Sequence, residues 1–500
     1  MTSVSFKSLI DEALEINNLS INRLATLIGV DRPWLQHALV GRRPLGYDNF
    51  EKIMNSLCLS EYMKTELREA FAKEYFGDTN FKIIKNGLSK LHKMAEFEGL
   101  STPLPEFSDN SANPLWERVS KQYPVSEKQA KFLSDLQNII EHELKKDTPV
   151  FYTNYALSID CVRMLFLCVL REAASPVDYR HIVFKEPGQS EQLTLNNFFY
   201  QYEFAGYGYN TYYARTGKGL ASASPLPYFV LTSDTVIFFS ENLELNILEN
   251  DSERISYMHD FFMKTLSSSV PFCIFMRSKD DYALFTSLLP QNAENIPTHY
   301  YDLSSNLCMA SFLDEDILAD SIPDEIEHKD YFVQGMAGFF SFYCAIPHTA
   351  IFSNDSLMSF VENDTEFCDY HNVTFDVFRI SPENKLKMLK KLKLVHSENI
   401  EDAFIPIPNK LMMPSFFHVN VFSSCLILGY NFKIFDINDG NRYIATVVNQ
   451  DPVLCKHLNN ISEYITHSSC VYSNSRNYAI SQIDNAIGYY CKKHGFEDNM

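Results

Sequence analysis

Several stretches of this 500-residue chain hold the ingredients of phosphate, cofactor or zinc chemistry without the spacing that makes them work. The run from Tyr209 to Leu220 contains Gly217-Lys218. However, Gly219 stands where a Ser or Thr must hold magnesium, and Tyr212 stands where the first glycine of a phosphate-cradling loop belongs. Gly206-Tyr207-Gly208 lacks the third glycine of a dinucleotide fingerprint. His142-Glu143 has no second histidine one helical turn on, so two imidazoles cannot meet on one helix face around zinc. Only 17 glycines in the whole chain leave few positions where backbone can approach a nucleotide closely. The aromatic-rich run from Phe198 to Ala214 offers flat walls and hydroxyls for a pocket, but rings at this density read first as core. From these absences the sequence predicts no catalytic residue, no cofactor and no metal ligand, and hence not an enzyme.

Composition sets the frame around that search. Apolar residues at 46% and charged residues at 21% are ordinary for a globular chain, and the length suggests about three folding units at roughly 150 residues each. The eleven cysteines stand singly from Cys58 to Cys491 without a C-x-x-C pair, as in a reducing compartment. The N-terminal residues lack a secretory leader pattern, and no run of eighteen apolar residues occurs, so a cytoplasmic location without membrane contact is expected. A net charge of −20 argues against a body that lies along nucleic acid. Residues 18–60 differ, holding Arg23, Arg32, Arg42, Arg43 and Lys52 against Asp31, Asp48 and Glu51. Any contact with DNA is expected from this segment, with the acidic remainder kept off the duplex.

Five helical patterns position those cations. Phe6, Leu9, Ile10, Ala13 and Leu14 recur at helical spacing, and Asn17-Asn18 interrupts them. Ser20 is a good N-cap for a second helix through Leu24, Ala25 and Ile28, which Gly29 ends. Asp31 caps a third helix with Leu35, Ala38 and Leu39 inward, and Gly41 closes it. Phe50, Ile53, Met54 and Leu57 mark a fourth, and Ser60 opens a fifth that reaches about Phe76.

The segment Ser20 to Arg42 resembles the helix-turn-helix of the Cro/repressor family. The resemblance is carried by Leu24 and Ala25, the Gly29-Val30 turn, buried Leu35, the Gly41 exit, and Phe50, Ile53 and Leu57 beyond. It covers roughly residues 5–75. It implies a second helix that enters the major groove, with Arg32, Trp34, Gln36 and His37 toward base edges and Ser20, Asn22, Arg42 and Arg43 toward phosphate. Pro33 in the first helical turn and the large Trp34 depart from the family pattern; Trp34 either packs on the sugar backbone or leans into the core.

Residues 77–147 read as a linker with connecting helices, one from about Phe81 to Phe97 and one from Ser126 to Lys146 whose apolar stripe packs on the body. Beyond Thr148, strand and helix patterns alternate, predicting an α/β body after the all-α head, an α+β multidomain chain overall. Residues 227–251 and 416–440 both read as a β-meander, each followed by a helix, which suggests two similar halves at 148–290 and 291–500. The arrangement weakly resembles phospholipase-D-like sensor modules appended to bacterial helix-turn-helix regulators. An active member of that kind needs a His two residues before a Lys in each half, and no histidine here precedes lysine at that spacing.

The reading that follows is a sequence-specific, dimeric transcription regulator whose body senses a small-molecule effector. The alternatives are an enzyme or defence-type effector with an autoregulatory DNA-binding head, or a protein-interaction scaffold. If the head meets phosphate as the resemblance implies, Arg42→Ala with Arg43→Ala weakens binding to all duplexes alike. It also flattens the slope of log affinity against log salt by about 1 to 2. An unchanged slope contradicts the assignment.

Overall fold

The computed structural model describes residues 5–100, 115–156, 158–170, 177–184, 191–204, 209–214, 224–276, 299–305, 307–309, 312–324, 328–344, 346–362, 380–398, 403–407, 413, 417–422, 426–437, 441–449, 451–467 and 475–496. Five helices come first: α1 (Phe6–Ile16), α2 (Ile21–Ile28), α3 (Arg32–Leu39), α4 (Tyr47–Ser56) and α5 (Glu61–Phe76). The Ser20 hydroxyl accepts from Arg23 N, and Asp31 Oδ1 accepts from Trp34 N at 2.7 Å. Each satisfies a donor that a helix start leaves orphaned, about 1 kcal/mol apiece. Gly29 takes the left-handed φ of +75° that ends α2 and turns the chain toward α3. Leu24, Ala25, Leu35 and Leu39 are buried, and Phe50 stacks on Phe71 with ring centroids 4.0 Å apart.

After Gly77 the chain enters α6 (Asp78–Leu100), which is longer than its apolar periodicity marks. The turn-forming residues Asp78 to Asn80 start this helix instead of a loop, with an acidic side chain in the first turn where the helix dipole favours it. Then come α7 (Leu115–Gln122) and α8 (Glu127–Glu143), the latter opened by a capping box between Ser126 and Gln129.

The first half of the body comprises β1 (Val150–Thr153), α9 (Asp160–Leu170), β2 (Asp178–Phe184), α10 (Glu191–Phe204), β3 (Tyr209–Ala214), β4 (Tyr228–Leu231), β5 (Val236–Phe239), β6 (Asn246–Glu249), α11 (Ser252–Ser267) and β7 (Ser269–Pro271). The second comprises β8 (Ile274–Met276), β9 (Tyr300–Ser304), α12 (Glu315–Ser321), α13 (Lys329–Cys344), β10 (His348–Ser353), α14 (Asn354–Glu362), α15 (Pro382–Glu398), β11 (Ala403–Ile407), β12 (His418–Phe422), β13 (Leu426–Ile437), β14 (Asn441–Asn449), α16 (Pro452–His467) and α17 (Ser475–His494). The sheets have the orders β6-β5-β4-β1-β2-β3-β7 and β11-β10-β9-β12-β13-β14-β8. Laid over one another, β1 to β6 match β9 to β14 strand for strand. In each, three parallel strands joined through helices are followed by a strand that crosses to the far side of the first and begins an antiparallel meander. The chain is a mixed helix-and-sheet multidomain protein, and its body is duplicated in topology.

Strand alternation assigns the faces. In the first sheet, Phe151 joins the core made with Phe132, Leu136 and Phe166, while Tyr152 joins Phe229 and Phe262 on the other side. In the second, Leu303, Ile351 and Val419 face α10 and α16, while Ala350 and Phe352 face Leu318, Leu389 and Ile487. The core on the α16 side is continuous with that of the head. Helix α6 fits between α10 and α16 because Gly87 has no side chain: a Cβ there would stand 2.7 Å from Ile461 Cδ1 and 3.0 Å from Leu195 Cδ2.

The head is fixed to α16 by polar aromatic contacts. Tyr47 stacks on His467 with centroids 3.8 Å apart, and the Tyr75 hydroxyl donates to Glu463 at 2.8 Å. Burial pushes the His467 imidazole down to about 4, against an unperturbed value of about 6.5. The folded state thus binds fewer protons than the unfolded state in this window, so its stability is full above about pH 6.5 and falls as pH drops toward 4. His181, pushed down to about 3 by burial, acts in the same direction. His467→Phe, which keeps the stack, is therefore expected to flatten part of the loss of unfolding free energy between pH 6.5 and 4, on the order of 3 kcal/mol at most. An unaltered pH slope in chemical denaturation contradicts this.

Candidate active site

Open α/β sheets collect ligands at the carboxyl ends of their parallel strands, where the strand order reverses. In the second half that point lies between β9 and β12. The chain leaves β9 for β10 on one side, and β12 pairs with β9 antiparallel on the other. The register sets His418 opposite Ser304 and Asn420 opposite Asp302, so period-two alternation brings all four to one face. His418, the first residue of β12, stands at the carboxyl end of β9, and Cys308 follows a few residues after β9.

These groups converge. His418 Nε2 lies 2.9 Å from Asp302 Oδ1, and the two residues are only 3% and 6% exposed. One donor atom from each of Asp302, Cys308 and His418 lies within 4.8 Å of the other two. The backbone of this corner is locked from the first half: the Tyr202 hydroxyl of α10 accepts from His418 N and donates to His418 O, both at 3.1 Å. Phe417 packs against Tyr202, and its carbonyl accepts from Ser305 N at 2.9 Å and from the Ser305 hydroxyl at 3.1 Å.

The equivalent corner of the first half holds different chemistry. Asn154, just beyond β1, donates to Pro227 O at 3.0 Å and accepts from Phe229 N at 2.7 Å, bracing β4 as a strand partner would. Nearby, His181 Nδ1 lies 2.7 Å from Thr153 Oγ1 and packs on the edge of Tyr155. With full burial holding its pKa near 3, that imidazole is neutral and structural.

The residues singled out from the sequence lie elsewhere. Ser20, Asn22, Arg32, His37, Arg42 and Arg43 are exposed on the head, while Trp34 and Gln36 are half-buried, with Trp34 packed against the head's core. His142 and Lys146 reach Asp234 at 3.4 and 2.7 Å, tying α8 to the β4–β5 turn. Gly206, Gly208 and the Gly217-Lys218 pair lie outside the described residues. Asp302, Cys308 and His418 went unmarked in the sequence because His418 is followed by Val419-Asn420 where a lysine was required. Their convergence, moreover, depends on strand pairing and leaves no local spacing.

No family model matches the chain, and no curated protein matches it. Solved structures do match, among them a phosphatidylserine synthase from Haemophilus influenzae Rd KW20. It is 9% identical, covers 76% of this chain and 98% of that chain, and has a TM-score of 0.20. At that score the likeness transfers neither substrate nor mechanism. No family match supports a Cro/repressor assignment. Two expectations are corrected here. The reading as a DNA-binding transcription regulator finds no support in any comparison, and the expectation of a non-enzyme stands against a matching structure that is an enzyme. The non-enzyme expectation came from motif absences, which cannot register a site assembled from separate strands. Among the described residues, no helix is long and apolar enough to cross a membrane.

Tyr202→Phe leaves His418 N and O without their hydroxyl partner in a dry environment. The expected loss is about 1–3 kcal/mol of stability, measured by denaturant unfolding. No change in midpoint contradicts the clamp.

Proposed function

We propose that the chain is a phosphodiester-cleaving enzyme of the effector type, with its reactive centre at His418 and Asp302 and a head that contacts duplex DNA. The observation that carries this reading is the buried His418–Asp302 pair at the carboxyl end of β9, which among the described residues has no counterpart beside β1. An imidazole beside a carboxylate is a nucleophile or base whose cationic state the carboxylate stabilises. In the phospholipase-D-like reading, His418 attacks phosphorus, the alcohol leaves, and water displaces the phosphoryl group from the imidazole. Asn420 stands where such a site carries lysine, so an amide donor takes the position of a cation. The exposed Arg42 and Arg43 support contact between the head and DNA phosphate, and the exposed Arg32 supports contact with base edges.

Turnover is tested on p-nitrophenyl phosphodiesters, phospholipid vesicles and nucleic acid. Wild-type protein is expected to cleave at least one class. His418→Gln and Asp302→Asn should each lose about 10²–10⁴-fold in rate, while His181→Gln retains activity if folded. Cleavage by none of the three classes, or full activity in His418→Gln, overturns the reading.

A further inference from the structure

We infer that Asp302, Cys308 and His418 form a binding site for a divalent transition-metal ion of zinc's class. Imidazole nitrogen, thiolate sulfur and carboxylate oxygen together are the donor set zinc takes, whereas magnesium and calcium call for oxygens alone. The three donor atoms come from separate segments, the interior of β9, the stretch after it and the start of β12, yet all lie within 4.8 Å of one another. Ligands sharing a tetrahedral zinc stand about 3.5 Å apart, given bonds of roughly 2.0–2.3 Å. Closure around an ion therefore asks the donor atoms to approach by at most about 1.3 Å, and Cys308 is the half-buried member of the three.

A second observation points to a ligand. Asp302 Oδ1 is buried and accepts no hydrogen bond from any described group, although His418 Nε2 is 2.9 Å away. The 2.9 Å contact is an ion pair only when the imidazole is protonated; beside a neutral imidazole that presents its lone pair, the buried carboxylate oxygen lacks a donor, which is costly in a dry site. A metal ion between them removes that cost. Three protein ligands also leave a fourth position for water or substrate, the pattern of reactive zinc sites. The matching corner of the first half is braced by the Asn154 amide and, among the described residues, holds no such donor set.

Occupancy of the site does not depend on the proposed phosphodiester cleavage; only its consequence rests on that reading. Metal binding and attack on phosphorus both need the Nε2 lone pair of His418, so a bound ion would hold His418 as a ligand, and attack by His418 belongs to the metal-free protein.

The full-length chain, stripped with chelator, is titrated with Zn²⁺ and with Co²⁺ while folding is followed by circular dichroism. One equivalent of zinc and a cobalt–thiolate charge-transfer band are expected. Cys308→Ser should abolish the band and weaken zinc binding at least about 100-fold, and Asp302→Asn should weaken it by about 10- to 100-fold with the band retained. No band in the wild type, an undiminished band in folded Cys308→Ser, or equal zinc affinity in all three proteins overturns the inference. Turnover by stripped protein that shows no cobalt band sinks the metal site and leaves the enzyme reading. One equivalent of zinc, with no turnover by the stripped protein on any phosphodiester, sinks the enzyme reading and leaves the metal site.

Discussion

The Tyr202 hydroxyl ties the first half of this protein to the backbone of the candidate site in the second. A buried backbone N–H and C=O must find partners. The β12–β13 ladder begins at Val419, so His418 takes its partner from Tyr202 of α10 instead. The same helix packs Leu195 toward Gly87 of α6 and lies against α16, which in turn holds Tyr47 and Tyr75 of the head. The first half, the second half and the head thus share one core on the α16 side of the second sheet. The geometry at His418 depends on a residue outside its own sheet, which makes the candidate site a property of the assembled chain.

Duplication followed by divergence explains why one half alone is a candidate. The two sheets repeat strand order and direction, so each sets the carboxyl end of its first strand beside its fourth. In the first half that place is filled by an amide brace and a neutral histidine. In the second half, cross-strand register gathers imidazole and carboxylate on one face, and the thiol follows in the chain just after β9. The backbone supplies the same place twice, and side chains decide what it can do.

Much of the local structure was legible in the sequence. Ser20, Gly29, Asp31 and Ser126 act where their side chains or conformational freedom predict, because capping is settled within three or four residues. The paired β-meanders at 227–251 and 416–440 point to the duplication, since alternation and turn residues are also local. The full extent of α6 was not legible, because its first turn borrows residues that ordinarily make loops and its middle is held by Ile461 and Leu195. The site was hidden for the same reason. Asp302 and His418 come together through a strand crossover, and His418-Val419-Asn420 lacks the lysine of a His-x-Lys pattern.

The central claim, that His418 is the reactive group of this chain, is tested most directly by mapping histidine acylation in the folded, chelator-treated protein with diethyl pyrocarbonate and mass spectrometry. His418 and His181 are both almost wholly buried, so simple exposure does not separate them. The account predicts that His418, at the carboxyl end of β9 beside a carboxylate, is acylated well ahead of His181, and that Asp302→Asn slows its reaction. Equal protection of the two imidazoles until the protein unfolds would contradict it.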